Sequence, residues 1–339
     1  RDAVPPQPHA AATICRVPAR LPVGQALVPE VQATTTVVDA PGVDPGLVLS
    51  PLRMLYGDPT VRVGDREFTR ATWTPAGPGV IAITWGAQPG RIDVTCEGEG
   101  AGWLKEGARS LLGADDDVSS FEPEGVVGRL WARMHGDRVG ATGTVWHDLT
   151  WFVVQQRIRR TDAAAQWRRL VTTFGDPIEG SEGLYTPPDP DRLSRAAPWS
   201  LRALGIDARR AATLIEAARV ADRLHLLAGQ PSDEALARLG SVTGVGPWTR
   251  ACLAAMTWGD ADAVITGDSG IPSLITSTLA GERRGDDARM LELLEPFRPH
   301  RYRVLRLAFA ARIGARRSRP QFGRNVEESS LNLPNSRWR

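Results

Sequence analysis

Two stretches of this 339-residue chain carry residue types and spacing that could do chemistry. Leu239-Gly-Ser-Val-Thr-Gly-Val-Gly-Pro-Trp-Thr-Arg-Ala251 reads as a glycine-bracketed turn between two helical segments. Ile265-Thr-Gly-Asp-Ser-Gly-Ile-Pro272 places one carboxylate, Asp268, at the start of another helix. Gly244 and Gly246 admit backbone angles and close approaches that side chains forbid. Pro247 suits the first position of a helix, and the amides of Gly246, Trp248 and Thr249 would then point out of its N-terminus as an anion holder. A carboxylate nearby could stabilise positive charge developing on a sugar and orient or deprotonate a water. The alternative is that Asp268 or Ser269 only caps the helix beginning at Ile271.

The chain must supply elements that bring these two stretches together. Asp162 and Ser232 are candidate N-caps, and Gly175 and Gly240 candidate stops. Helices are expected over 127–135, 146–158, 162–173, 189–196, 208–224, 232–239, 248–258, 271–279, 286–295 and 300–312. Earlier in the chain, Thr34–Val38, Ala71–Thr74, Val80–Trp85 and Arg91–Cys96 are rich in β-branched and aromatic residues between turns, and read as strands. A helix follows from Gly102 to Leu112. Residues 114–125 are polar and breaker-rich, and a boundary is placed there. The expected division is an extension over 1–29, an N-terminal α/β domain over 30–125, a helical domain over 126–315 and a flexible basic tail over 316–339.

Composition narrows the classes. Hydrophobic residues make up 42% and charged residues 24%, as in soluble globular proteins. No apolar run approaches the roughly 20 residues of a membrane span, and the Pro- and Ala-rich start lacks the layout of a secretory signal. Cys15, Cys96 and Cys252 fit neither a disulfide framework nor a tetrahedral zinc site, and three thiols cannot build a four-cysteine iron–sulfur cluster. A reducing compartment is expected. Net charge is only +2. Arg298, Arg301, Arg303, Arg306, Arg312, Arg316, Arg317 and Arg319 nevertheless follow one another with no acid between them. Such a run attracts phosphate, or is a solvated helix face with a loose tail. Lys105 is the only lysine.

The motif Leu-x-x-Val-x-Gly-Val-Gly-Pro-x-Thr between two helices, with Asp268 22 residues after Gly246, resembles the signature of helix–hairpin–helix DNA glycosylases, with the 3-methyladenine DNA glycosylase II branch the best match. Asp286–Leu294 and Arg298–Arg306 add weaker likeness. The resemblance implies an α+β fold: a small N-terminal antiparallel-sheet, saddle-like domain, then an all-α helix–hairpin–helix core. It implies a base-excision enzyme hydrolysing the N-glycosidic bond of a flipped-out damaged base, an alkylated purine first. Asp268 would be catalytic. Gly244, Gly246, Trp248, Thr249 and Arg301 would bind DNA phosphates. The carbonyls of Gly240, Val242 and Val245 would hold a monovalent cation, Na or K, with no other cofactor required. Thr150-Trp-Phe-Val-Val-Gln-Gln156 is similar to the family helix whose end fills the gap left by the flipped nucleotide, with Gln156 as wedge and Gln155 beside it. Trp248 would stack on the base, and Tyr302 and Phe309 fall near the pocket aromatic of relatives, although a place in the helical core is the better account of these two.

The chain departs from the family pattern in places. Arg157-Ile-Arg-Arg stands where small or hydroxyl residues are common, Thr243 where many members have Pro, and Ser269-Gly270 where a bulkier pair follows the aspartate. Trp248 occupies the lysine position of strand-cleaving members, so hydrolysis without lyase activity is expected. The partner would be lesion-containing double-stranded DNA, met by a monomer in a bacterial cytoplasm, nucleoid-associated and off the membrane. Three alternatives stay open: a glycosylase for another modified or hypermodified base, a non-catalytic helix–hairpin–helix DNA-binding protein, and a strand-cleaving lyase.

Overall fold

Alternation of apolar and polar residues builds the first layer of the molecule. β1 (Thr34–Asp39) is followed by the short helix α1 (Pro45–Leu49), then β2 (Val61–Gly64), β3 (Glu67–Thr74), β4 (Gly77–Trp85) and β5 (Arg91–Gly98). The five strands form one antiparallel sheet in the order β1-β5-β4-β3-β2. Phe68, Ile81, Ile83, Ile92, Val94 and Cys96 share its buried face, as the pairings Phe68↔Ile83, Ile83↔Val94 and Ile81↔Cys96 require. α2 (Ala101–Leu111) lies on the sheet through Ala101, Leu104 and Ala108, and ends before Gly113 at φ +60°. This computed structural model describes residues 33–53 and 57–317, the side chains of 313–317 excepted.

The rest of the described chain is helical. The helices are α3 (Gly125–Arg133), α4 (Val145–Gln155), α5 (Arg160–Phe174), α6 (Pro190–Ser194), α7 (Pro198–Ala203), α8 (Ala208–Arg219), α9 (Ala221–His225), α10 (Ser232–Leu239), α11 (Pro247–Thr257), α12 (Ile271–Leu279), α13 (Asp287–Leu294) and α14 (Arg301–Arg317). α4 is apolar nearly all round, with Val145 through Val154 buried, so it runs through the centre rather than along a face. It lies along α11 and also meets β3. The hydrophobic core is therefore continuous from sheet to helices.

Helix ends differ in detail from those expected. Gly175 and Gly240 are C-caps. Asp162 lies inside the first turn of α5 and Ser232 is the first residue of α10, so neither caps; Arg159 and Pro231 hold those positions. The segment 208–224 breaks at Val220 into α8 and α9. The expected extension and most of the expected tail lie outside the described residues, while α14 continues to Arg317.

The arginine-rich segment is neither a solvated face nor a phosphate patch over its described part. Arg303 is fully buried and makes a two-pronged pair with Asp116, at 2.8 and 2.7 Å. Arg306 pairs with Asp137, its Nε donating at 3.0 Å. Arg301 is held by Asp262 and Arg298 by Glu295. Buried guanidinium must be paired or it costs several kcal/mol, and acids distant in sequence supply the partners.

A second polar cluster joins sheet to helix. Arg70 of β3 pairs with Asp148 of α4 at 2.8 Å, both buried. Its Nη2 also donates to Nδ1 of His147 at 3.0 Å. Arginine can only donate, so Nδ1 is the acceptor and Nε2 carries the proton toward Thr60. The imidazole stacks on Trp167 at 5.6 Å. Burial, and then the facing Arg70 charge, hold the His147 pKa well below 6.5. Unfolding therefore takes up a proton below that pH. Stability is expected to be level above about pH 6.5 and to fall toward pH 5, by up to ~1.4 kcal/mol per pH unit for this group. His225 and His300, also lowered by burial, add in the same direction. Urea unfolding between pH 5 and 8 checks this; His147→Gln should flatten most of the slope.

Candidate active site and strand clasp

The hairpin is fixed by what touches its glycines. Gly244 sits at φ +91°, and a Cβ there would fall 2.0 Å from the Thr213 hydroxyl of α8. Both conformation and space demand glycine. The Gly244 carbonyl accepts from Nε2 of Gln156 at 3.0 Å, and the same amide donates to the Thr249 hydroxyl at 2.9 Å. The Thr243 N–H donates to Glu216 of α8 at 3.2 Å. The turn is thus tied to α4 and α8 before any ligand arrives. Gly246 is different: its φ of −86° suits any residue, and a Cβ would meet nothing. Glycine there leaves open space in front of the α11 N-terminus. Pro247 starts that helix, and its first-turn amides, including Trp248 and Thr249, have no partner within it.

Asp268 is brought to this N-terminus. Its Oδ1 accepts from the N–H groups of Gly270 and Ile271, at 2.8 and 3.0 Å. Its Oδ2 accepts from the indole Nε1 of Trp248 at 3.0 Å. The capping alternative and the proximity to the clasp are therefore both features of one side chain. Asp268 caps α12 with one oxygen and meets the hairpin helix with the other. Three donors fix the orientation of a half-buried carboxylate. Phe152 of α4 packs edge-on to Trp248, ring centres 6.1 Å apart, and Trp151 lies against Phe152 at 5.4 Å. Cys252, one turn below Trp248, is buried; burial and then the Asp268 charge push its pKa well above the usual thiol value.

Other expected residues are placed elsewhere or otherwise engaged. Arg301 cannot serve as a free phosphate ligand: its guanidinium grips Asp262 at 2.8 and 2.5 Å and is mostly buried. Tyr302 is core, lining a small cavity with Val48, Leu111, Met256 and Arg306. Phe309, seven residues on, is 37% exposed, so the core reading of it fails. Gln155 is half-buried at the end of α4, with a long 3.4 Å bond back to the Trp151 carbonyl. Gln156 is turned inward onto the hairpin, contrary to a projecting wedge. Arg157, the next residue, is exposed and left-handed at φ +59°.

Sequence reasoning missed the supports of this site. Arg210 of α8 is buried, pairs with Asp207 at 2.5 Å and donates to the Val154 carbonyl at 2.6 Å, capping the end of α4 beside the glutamines. It reads as an ordinary helix arginine in sequence. Phe152 and Trp151 were visible as an aromatic pair in Thr150-Trp-Phe but lacked a reason to face Trp248.

One of the three hairpin carbonyls expected to hold a cation is already engaged. Val242 already accepts the Val245 N–H at 3.0 Å. The Nη1 of Arg250 lies 3.3 Å from where a Cβ on Gly240 would be.

The two glycines separate fold from ligand access. Gly244→Ala is expected to destabilise the protein by roughly 2–4 kcal/mol, from strain and the Thr213 clash. Gly246→Ala should melt within a degree or two of wild type. Thermal unfolding of the two variants side by side checks the contrast.

Comparison with known proteins agrees with this geometry. No protein-family model matches the chain. DNA-3-methyladenine glycosylase 2 of Escherichia coli (strain K12) is 27% identical over 178 residues, which is 52% of this chain and 62% of that protein. The chain thus aligns with under two thirds of that relative's length. Among solved structures, 3-methyladenine DNA glycosylase from Archaeoglobus fulgidus superposes with a TM-score of 0.68 at 20% identity, over 83% of this chain and 98% of that one. The 8-oxoguanine glycosylase/lyase of Clostridium acetobutylicum gives 0.60 at 13% identity, over 82% and 97%. The chain has the α+β fold of the helix–hairpin–helix DNA glycosylases and is similar in sequence to the 3-methyladenine DNA glycosylase II branch of that superfamily.

Proposed function

We propose that the protein is a base-excision repair DNA glycosylase that hydrolyses the N-glycosidic bond of a flipped-out damaged base, alkylated purines first. The observation carrying this reading is the 3.0 Å bond from Trp248, in the first turn of the hairpin helix, to Asp268. It sets a carboxylate against the side chain of the residue whose amide, with that of Thr249, has no partner within the helix. Those amides suit a phosphate oxygen of one strand, and such contacts fix register without reading sequence. The carboxylate then faces the sugar next to that phosphate. Its charge stabilises the oxocarbenium ion formed as the base leaves, and its fixed orientation aligns water for attack. A cationic alkylated base needs little protonation to depart, and no general acid is assigned to this site. The E. coli relative bears the name of a 3-methyladenine glycosylase, which supports the same substrate class.

Two finer readings follow. Hydrolysis without strand cleavage is supported by the residues present: an indole stands at position 248, and Lys105 lies on α2 at the sheet. For the gap left by the flipped nucleotide, the exposed Arg157 replaces Gln156. Gln156 would have to break two hydrogen bonds to insert, whereas Arg157 projects from the α4 end in a conformation that costs a non-glycine residue about 1 kcal/mol.

Incubation with duplex DNA carrying a methylated purine, then alkali and a gel, tests the function. Wild type should release the base and leave an alkali-labile site. Asp268→Asn should slow release by about 10²–10³-fold while duplex binding survives. Absence of alkali-labile product across a panel of alkylated, deaminated and oxidised lesions would sink the reading. Borohydride should trap no covalent adduct.

A 2-aminopurine duplex reports unstacking directly. Arg157→Ala should lose most of the fluorescence rise on binding, with the fold unchanged. Gln156→Ala should instead lower the melting temperature by a few degrees, for two hydrogen bonds worth ~1 kcal/mol each.

A further inference from the structure

The loop between α11 and α12 carries Asp268, and its backbone is tied as well as its side chain. Gly267, the residue before, is exposed and left-handed at φ +76°, and a Cβ there would meet nothing. Its N–H donates to Oδ2 of Asp287 at 2.8 Å, and no other hydrogen bond to Gly267 occurs among the described residues. That bond fixes the peptide plane entering Gly267, one residue before the Asp268 backbone. Asp287 is itself well placed to hold it. It is the first residue of α13, where the helix dipole favours negative charge. Asp286 caps the same helix through the Arg289 N–H at 2.9 Å, and Arg289 grips Glu282 at 2.7 Å. Gly285 packs so closely on α12 that a Cβ would collide with Thr276. The other Asp287 oxygen, Oδ1, is buried and meets no donor among the described residues. Burying an unpaired carboxylate oxygen costs free energy, so the side chain is not placed there by its own solvation. Its one bond is to the loop of Asp268.

We propose that Asp287 is a positioning residue for Asp268: its carboxylate holds the Gly267 N–H, and so fixes the backbone from which the Asp268 carboxylate reaches Trp248 and the α12 amides. Its effect on base release rests on the glycosylase reading; its hold on the loop does not. Freed from Asp287, Gly267 has the wide conformational range of a glycine open to it. The Asp268 backbone then shifts, and the bonds of its carboxylate to Gly270, Ile271 and the Trp248 indole lose their alignment. Misplacing a reacting group by about 1 Å costs up to ~10²-fold in rate. DNA binding is spared, because Gln156 and Thr213 hold the hairpin independently.

The exchange arm of the test follows amide hydrogen exchange by NMR, without DNA. Asp287→Ala should speed exchange at Gly267, and also at Gly270 and Ile271, by about tenfold or more, while the amide of Val153 in the buried α4 is unchanged. Asp287→Asn, which keeps an oxygen for the Gly267 N–H, should exchange as wild type. The rate arm measures single-turnover base release from a methylated-purine duplex, with duplex affinity by anisotropy. Asp287→Ala should slow release by ~10–100-fold with affinity within about twofold of wild type. Asp287→Asn should release base within about threefold of wild type. In an Asp268→Asn background, Asp287→Ala should cost less than about twofold more, because it acts through a group already removed. Unaltered exchange at Gly270 and Ile271 in Asp287→Ala overturns the proposal. So does an undiminished cost in the Asp268→Asn background, or an asparagine variant as slow as the alanine one, which would assign the effect to charge. Asp287→Ser, too short for the bond, takes the place of Asp287→Ala if that variant unfolds. If wild type frees no base from any lesion, the glycosylase reading falls and the exchange arm still decides whether Asp287 holds Asp268.

Discussion

A single hydrogen bond between an indole and a carboxylate ties the two halves of the candidate site. Trp248 belongs to the hairpin and Asp268 to a loop 20 residues later. Without that contact the amide-lined clasp and the acid would be neighbours in sequence only. The remaining contacts hold the two partners steady. α12 anchors the far oxygen of Asp268 through Gly270 and Ile271. Phe152 braces the Trp248 ring from α4. Gln156 and Thr213 fix the turn from which the α11 helix starts. Each constraint is short-ranged and directional, so the carboxylate has little freedom to reorient.

The same economy of polar contacts appears where distant segments of the chain join. Arg70, Arg303 and Arg306 cross from one element to another and end on aspartates. Arg303 and Arg306 do so as two-pronged guanidinium forks, whose planar geometry fixes register as well as distance. Such pairs are weak stabilisers compared with hydrophobic residues of similar volume, but removing one partner strands a buried charge. The chain's use of arginine almost to the exclusion of lysine suits that purpose.

Much of the fold was legible because side-chain periodicity is local. The strands at Thr34, Val80 and Arg91, and the helices at Ser232 and Ile271, lie where alternation or helical spacing placed them. β2 was missed because Val61-Arg-Val-Gly is short and set among turn residues; α7 was missed because six residues give no full period. Asp268 and the hairpin were readable from spacing, since glycines and a lone acid mark themselves. The direction of the Trp248 indole was not, because it depends on Phe152 arriving from another helix. The arginine run was misread for the same reason. Asp116 and Asp137 lie 187 and 169 residues from their partners, and no window along the chain contains both.

The placement of sulfur has a consequence for chemical durability. Cys96 lies inside the sheet core with its pKa pushed up to about 11, chiefly by burial, and Cys252, one turn below Trp248, has its own pKa raised well above the ordinary thiol value, again chiefly by burial. Thiolate, not thiol, reacts with electrophiles. Both described sulfurs are therefore shielded twice, by the protein around them and by the proton they keep. Alkylating agents, which react with thiolate, would therefore find both described thiols slow to react.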